Sequence, residues 1–249
     1  MILRNKSKTL ILIAVRLKSK RLKNKALLPL QDNPLILTLH NRLKVVNNVS
    51  KIIWCTSTNI QDEPIYKLAR KNNIDCIRGS ELNVISRFLK AINLYKAKDI
   101  VRVTGDNPLT DPVIMERMIS IHKKNNYDYT YNDQLPNGTR SEIISKKALV
   151  YCLKNINNPN NSEYMTWMLN RPDIYKVFNY KIKNKEINFP NFNFTVDNKK
   201  EYQNISRIFN NFENKNFTLK DAINFVKKNK KYKSSYMLNN FKNNNKKKI

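Results

Sequence analysis

Along the first two thirds of the chain, short unbroken apolar runs alternate with stretches in which apolar residues recur every three or four positions. Thr9 to Val15, Ile52 to Cys55, Ile74 to Ile77, Asp99 to Thr104 and Tyr127 to Tyr131 have the length and residue types of strands. Between them, Pro34 to Val46 sets Leu35, Leu39 and Leu43 on one helical stripe, and a helix from about Gln61 to Lys71 holds Pro64 in its first turn. Glu81 to Tyr95 aligns Val84, Phe88, Ile92 and Tyr95, and Asp111 to Lys123 reads as a helix capped by Asp111 with Pro112 behind it. The repeated β-α-β order predicts an α/β fold whose mainly parallel sheet carries helices on both faces. Ligands of such sheets bind just beyond the carboxyl ends of the strands.

The remainder is less regular. Gln134 to Arg140, with Pro136 and Gly138, reads as a loop; Lys146 to Leu153 and Glu163 to Leu169 as helices; Tyr175 to Ile182 and Asn193 to Val196 as strands. Lys199 to Phe209 and Leu219 to Lys228 are helical patterns, the latter behind a cap at Thr218. The pattern fits a single domain over residues 1–232, with an inserted region at about 132–192 as a substrate cap, followed by a basic Lys/Asn-rich tail at 233–249.

Composition narrows the class. In 249 residues, 47 Lys+Arg oppose 19 Asp+Glu, a net charge of +28, yet 41% of the chain is hydrophobic and can build a core. The charge alone would suggest a polyanion partner. However, Lys is spread throughout, about forty asparagines accompany it and Gly numbers three, which is what AT-rich codons supply. No finger spacing, recognition helix or paired aromatics argues for nucleic acid. Cys55, Cys76 and Cys152 lie far apart with only His40 and His122 to help, which excludes a disulfide framework and a zinc site. Thr9 to Val15 is too short for a membrane span and has no cleavage site, so the reading is a cytoplasmic protein with no membrane insertion.

The first strand empties into Arg16-Leu17-Lys18-Ser19-Lys20-Arg21-Leu22-Lys23-Asn24-Lys25. At the carboxyl end of a parallel strand such a loop can wrap an anion, with guanidinium forks and a lysine point charge; it is also what a solvated loop looks like in a Lys-rich chain. Asp106, in Thr104-Gly105-Asp106-Asn107-Pro108, and Asp197, in Thr195-Val196-Asp197, each follow a strand pattern. Two carboxylates suit a magnesium ion shared with phosphates; the alternative for Asp197 is a cap on the helix after it. His40, His122 and Cys55 read as packing residues.

Arg16, Ser19, Arg21, Leu22 and Lys25 resemble the R-x-x-S-x-R-L-x-x-K signature of the CMP-sugar synthetases, the acylneuraminate and KDO cytidylyltransferases, and most nearly their spore-coat-polysaccharide branch. Asn33-Pro34-Leu35, Thr56-Ser57, Arg78-Gly79-Ser80-Glu81 with Val84, Arg87 and Phe88, and Val101-Arg102-Val103-Thr104-Gly105-Asp106 follow in the family's order. So do Pro136-Asn137-Gly138, Glu142, Ser162-Glu163-Tyr164 and Phe194-Thr195-Val196-Asp197. The resemblance covers about residues 9 to 210.

It implies a GT-A-like nucleotidyltransferase fold, CTP and an acidic or phosphorylated sugar as substrates, Mg²⁺ as cofactor, and CMP transfer with release of pyrophosphate for surface glycan synthesis. Arg16, Ser19, Arg21 and Lys25 would hold the triphosphate, with Lys25, Arg16 and Asp106 catalytic and Asp106 and Asp197 on the metal. Thr56, Ser57, Arg78, Gly79 and Ser80 would line the nucleoside pocket, and Asn137, Gly138, Arg140, Glu142 and Glu163 the acceptor site; a homodimer would be in keeping with the family. Lys18 stands where the family has Gly, Asn83 where it has Asp, and Tyr164 where it has His. A glycosyltransferase on the same fold and a non-catalytic basic scaffold are the rival readings.

Overall fold

The computed structural model describes residues 9–212, 217–229 and 234–238. In chain order its elements are β1 (Thr9–Ala14), the two-residue β2 (Pro29–Leu30) and β3 (Asn33–Pro34), α1 (Leu35–Leu43), β4 (Lys51–Ser57), α2 (Glu63–Lys71), β5 (Cys76–Gly79), α3 (Val84–Tyr95) and β6 (Asp99–Thr104). There follow α4 (Pro112–Asn125), β7 (Tyr129–Tyr131), β8 (Glu142–Ser145), α5 (Lys146–Asn155), α6 (Met165–Leu169), β9 (Val177–Asn179), α7 (Lys199–Asn211) and α8 (Leu219–Lys228).

Seven strands form one sheet in the order β5-β4-β1-β6-β8-β7-β9. The first four run parallel; β8 is antiparallel to β6, β7 antiparallel to β8, and β9 parallel to β7. Alternation along the central strand divides the core. Ile11 and Ile13 face α1, α4, α7 and α8, whereas Leu10 and Leu12 face α3, α5 and α6. This is the mainly parallel sheet with helices on both faces that the alternating pattern predicts.

Several boundaries differ from expectation. Strand β8 falls where the sequence shows no separate element: Glu-Ile-Ile-Ser is four residues long and runs straight into α5, whose cap Ser145 accepts from Ala148 N. The expected strand at Asn193 to Val196 is extended backbone with one bridge, Asn137 to Asn193, because its neighbour is a loop rather than a strand. Tyr175 to Ile182 contracts to β9. Helix α3 starts at Val84 rather than Glu81, since Asn83 caps it by accepting from Ser86 N at 2.9 Å, and an Asn thus does what an Asp would do there. Residues 234–238 dock on the core, where Tyr236 is fully buried against Phe194 and donates to Asn204 O; Lys242 to Lys248 lie outside the described residues.

Buried His40 takes the Trp54 indole N–H on Nδ1 at 3.3 Å, and burial followed by the Lys44 charge pulls its pKa down to about 4. His122 pairs with Thr130 at 2.8 Å. All three cysteines are free, and burial pushes the Cys55 thiol far above its ordinary value. No helix among the described residues is long and apolar enough to cross a membrane.

Candidate functional site

At the carboxyl end of the sheet the chain leaves β1 at Val15, whose N–H donates to Cys55 O at 3.1 Å, while Gly105 N donates to Ala14 O at 2.8 Å. The loop from Arg16 to Asn24 is therefore anchored between the ends of β4 and β6. Asp62, buried in the turn before α2, accepts from Leu17 N at 2.7 Å and from the Ser57 hydroxyl, tying the start of the loop to β4. The loop closes in a 3-10 turn, Lys25–Leu27, after Asn24 adopts a left-handed conformation at φ 54°. Lys18 is not among the residues with positive φ, so the backbone requires no Gly there; its ammonium pairs with Glu81 at 3.0 Å.

This turn carries Lys25 Nζ between two acids, 2.6 Å from Asp106 Oδ2 and 2.7 Å from Asp197 Oδ1, and Arg21 Nη2 lies 3.0 Å from Asp197 Oδ2. Burial by itself would push the Lys25 ammonium down, but Asp106 and Asp197 outweigh it and hold its pKa above the ordinary 10.5. Asp106 lies just past β6. Asp197 reaches the same point because Val196 N donates to Asp106 O at 2.9 Å and Thr195 Oγ1 to Asn107 Oδ1 at 2.8 Å. Asp197 is not the helix cap. Asn198 fills that role in a capping box with Glu201, which leaves the Asp197 carboxylate for the cations.

A cleft of about 560 Å³ joins these parts, bounded by Arg16, Ser19, Arg21, Lys25, Asp106 and Asp197. Val84 and Arg87 from α3 and Arg102 and Thr104 from β6 line it as well. Arg16 Nη1 donates to Glu81 O at 3.0 Å.

The other expected site residues are placed differently. Thr56 and Ser57 are fully buried at the end of β4, and Arg78 is engaged by Ser57 O, Asn59 O, the Glu63 carboxylate and the Tyr66 ring. Ser80 accepts from Asn83 N, and Gly79 packs on the stem of Arg87. None of these five borders the cleft: the Ser57, Arg78 and Ser80 side chains hold β4, β5 and α3 together, and the buried Thr56 hydroxyl makes no hydrogen bond.

Asn137 and Gly138 brace the strand-like segment that leads to Asp197. Asn137 exchanges backbone bonds with Phe192 and Phe194, and Gly138, at φ +81°, lies so close that a Cβ would sit 2.2 Å from Thr195 N. Arg140 donates to Leu135 O at 2.7 Å, away from the cleft. Glu142 is saturated by Arg102 at 2.6 Å, Tyr129 OH at 2.6 Å and Thr166 Oγ1 at 2.7 Å. Burial would raise its pKa, but Arg102 and the two hydroxyls hold it below the ordinary value. Glu163 and Tyr164 lie in the turn Pro159–Tyr164, with side chains outside the description.

Asp62, Arg87 and Arg102 are the residues that sequence reasoning did not place at the site. Two of them carried a readable signal: Arg87 interrupts the buried stripe of Val84 and Phe88, and Arg102 sits inside the apolar run of β6. A charge at an apolar position needs a buried partner or a ligand.

Two acids bridged by one ammonium form a donor set of the kind divalent oxygen-ligated cations use; no third acid, His or Cys joins them among the described residues.

Comparison with known proteins agrees with this architecture. The sequence profile of a cytidylyltransferase family matches residues 10–246. The uncharacterized protein MJ1063 of Methanocaldococcus jannaschii is 32% identical over 224 residues, 90% of this chain and 92% of its own length. The spore coat polysaccharide biosynthesis protein SpsF of Bacillus subtilis is 29% identical over 206 residues, covering 80% and 85% respectively. A solved cytidylyltransferase from Leptospira borgpetersenii superposes with a TM-score of 0.84 at 26% identity, covering 93% of this chain and 98% of that one.

Proposed function

The chain belongs to the cytidylyltransferase family and is a nucleotidyltransferase; on that premise we propose that it transfers CMP from CTP to an acidic or phosphorylated sugar, releasing pyrophosphate, in surface glycan synthesis. The observation that carries this reading is the Lys25 ammonium held by Asp106 and Asp197 at the mouth of a cationic loop. It joins the cations a polyphosphate needs to the carboxylates a divalent ion needs.

The reaction forms one P–O bond and breaks another. A sugar hydroxyl oxygen attacks the α-phosphorus, the bond to the β-phosphate oxygen breaks, pyrophosphate leaves with that electron pair, and the hydroxyl proton passes to solvent. Charge accumulates on the nonbridging and leaving oxygens, and fixed cations in a partly desolvated site stabilise it without a protein nucleophile. Arg16, Arg21 and Ser19 bind and orient the triphosphate, the guanidiniums by forked hydrogen bonds. Lys25, a compact charge on a flexible stem, can turn from the two acids to a phosphate oxygen. Asp106 and Asp197, released from it, are the residues that would hold Mg²⁺, whose chemistry is neutralisation of phosphate charge. Asp62, Asn137 and Gly138 act through position: the first fixes the loop, the other two the Asp197 segment.

The test is a product assay on the full chain with CTP, Mg²⁺ and a panel of sugar acids and sugar phosphates. Pyrophosphate together with a CMP-sugar is the expected result, abolished in Lys25→Ala and Asp106→Ala with folding retained. Undiminished turnover in both variants rejects the assignment; so does a parallel assay in which a nucleotide sugar is offered as donor and its nucleotide is released by glycosyl transfer while CTP yields no pyrophosphate, which is the glycosyltransferase outcome.

A further inference from the structure

Arg87 is the least satisfied charged group in the described structure. Its side chain is 1% exposed, yet Nε and Nη1 have no hydrogen-bond partner, and no carboxylate lies within salt-bridge distance. The acids whose charge it senses are committed elsewhere: Asp62 to Leu17 N and Ser57, Glu81 to Lys18 and Asn59. Burial, and after it the neighbouring Arg16 charge, lower its pKa, so its surroundings disfavour the cation they contain. A second unpaired donor lines the same cleft. Arg102 is fixed through Nη1 by Glu142 and Thr166, and its Nε is buried without a partner.

The fold makes room for Arg87 deliberately. A Cβ at Gly79 would meet Arg87 Cγ at 2.8 Å, so the end of β5 must be glycine for the arginine stem to pass beneath it and reach the cleft. A buried guanidinium without a partner destabilises a protein unless something supplies the missing negative charge. The ribose and base of a nucleotide carry no such charge; an oxyanion does.

We propose that Arg87, assisted by the free Nε of Arg102, anchors an oxyanion of a bound substrate in the cleft that Lys25 also lines. The inference deepens the cytidylyltransferase reading and rests on it for the identity of the cleft. The oxyanion is either a phosphate of the nucleotide or the acid group of the acceptor sugar. These share the chemistry that Arg87 recognises and differ in which probe reports it.

The full chain and its Arg87→Met, Arg87→Gln and Arg87→Lys variants are titrated calorimetrically, with Mg²⁺ present, against inorganic pyrophosphate, CTP, cytidine and N-acetylneuraminate, and melted without ligand. Arg87→Met should melt about 2–4 °C higher than the wild type, because an uncompensated charge is gone. It should bind an anionic probe about 10- to 100-fold more weakly, with partial recovery in Arg87→Lys, and cytidine unchanged. Joint weakening of pyrophosphate and CTP assigns the oxyanion to the nucleotide; weakening of the sugar acid alone assigns it to the acceptor. Should Arg87→Met fail to fold, Arg87→Gln and Arg87→Lys are read by the same criteria. Wild-type affinity for every anionic probe in the variants, or no anionic probe bound by the wild type, overturns the proposal. Pyrophosphate release by the wild type together with that outcome would leave the cytidylyltransferase reading standing. Pyrophosphate binding that depends on Arg87, in a protein that turns over no CTP, would do the reverse.

Discussion

Replacing Lys25 by Met tests the centre of the site with a side chain of similar length and no charge. Each Lys25 contact, 2.6 Å to Asp106 and 2.7 Å to Asp197, is a charge-assisted hydrogen bond worth about 1.5–3 kcal/mol. The acid side chains are 24% and 31% exposed, so solvent screens part of this, and removing the 14%-exposed ammonium recovers its own desolvation cost. Against that recovery, two carboxylates that shared one cation are left facing each other. The net loss is about 2–3 kcal/mol, or about 5–10 °C in Tm for a chain of this size. The sign with pH is set by the raised Lys25 pKa: its contribution is complete below 10.5 and is lost only as pH rises through the higher folded value. Melts at pH 7.5 with and without Mg²⁺ should show the deficit, with Mg²⁺ narrowing it in the variant more than in the wild type. Pyrophosphate release should fall at least 100-fold. Adding Asp106→Asn to Lys25→Met should restore part of the lost stability, a coupling that a cycle of single and double variants measures. A Lys25→Met protein that melts within 1–2 °C of wild type, or works within about tenfold of it, refutes the reasoning.

Further expectations follow from individual contacts. Glu142→Gln leaves the Arg102 guanidinium buried with its charge uncompensated and should cost about 3–5 kcal/mol in urea unfolding; a loss below about 1 kcal/mol would mean that Arg102 finds another acid. Gly138→Ala puts a Cβ on Thr195 N at a left-handed position and should cost about 1–3 kcal/mol while lowering pyrophosphate release, because it displaces the segment carrying Asp197; unchanged activity would separate the brace from the site. His40, with a folded pKa of about 4 against 6.5 unfolded, contributes stability that is complete above about pH 6.5 and is lost as pH falls toward 4. In His40→Asn that part of the acid dependence, at most about 3 kcal/mol, should disappear, followed by fluorescence of its partner Trp54.

What was legible in the sequence is what local rules govern. The alternation of apolar runs and helical stripes yields the parallel strands β1, β4 and β6, because a strand covered on both faces is largely apolar, and it finds the edge strand β5 two residues early, at Ile74 to Ile77 rather than Cys76–Gly79. Asp111 and Thr218, read as caps, act as helix caps. Chemical type also belongs to this level: a cationic loop after the first strand and Asp106 after the fourth parallel one lie at the end of the sheet where ligands bind. Less legible were the four-residue β8 and the extended segment before Asp197, since neither has a period long enough to read.

Only the tertiary structure decides which polar groups remain available. Ser57, Arg78 and Glu142 have the same chemistry as site residues, yet each is engaged within the protein, and no local pattern distinguishes a satisfied side chain from an unsatisfied one. Arg87 shows the converse, a charge on a buried stripe that the fold leaves without a partner. Lys25 meets Asp106 across 81 positions and Asp197 across 172. Such a meeting is a property of sheet order and loop bracing, which arise from long-range packing, whereas sequence patterns report the few neighbours that fix helix or strand.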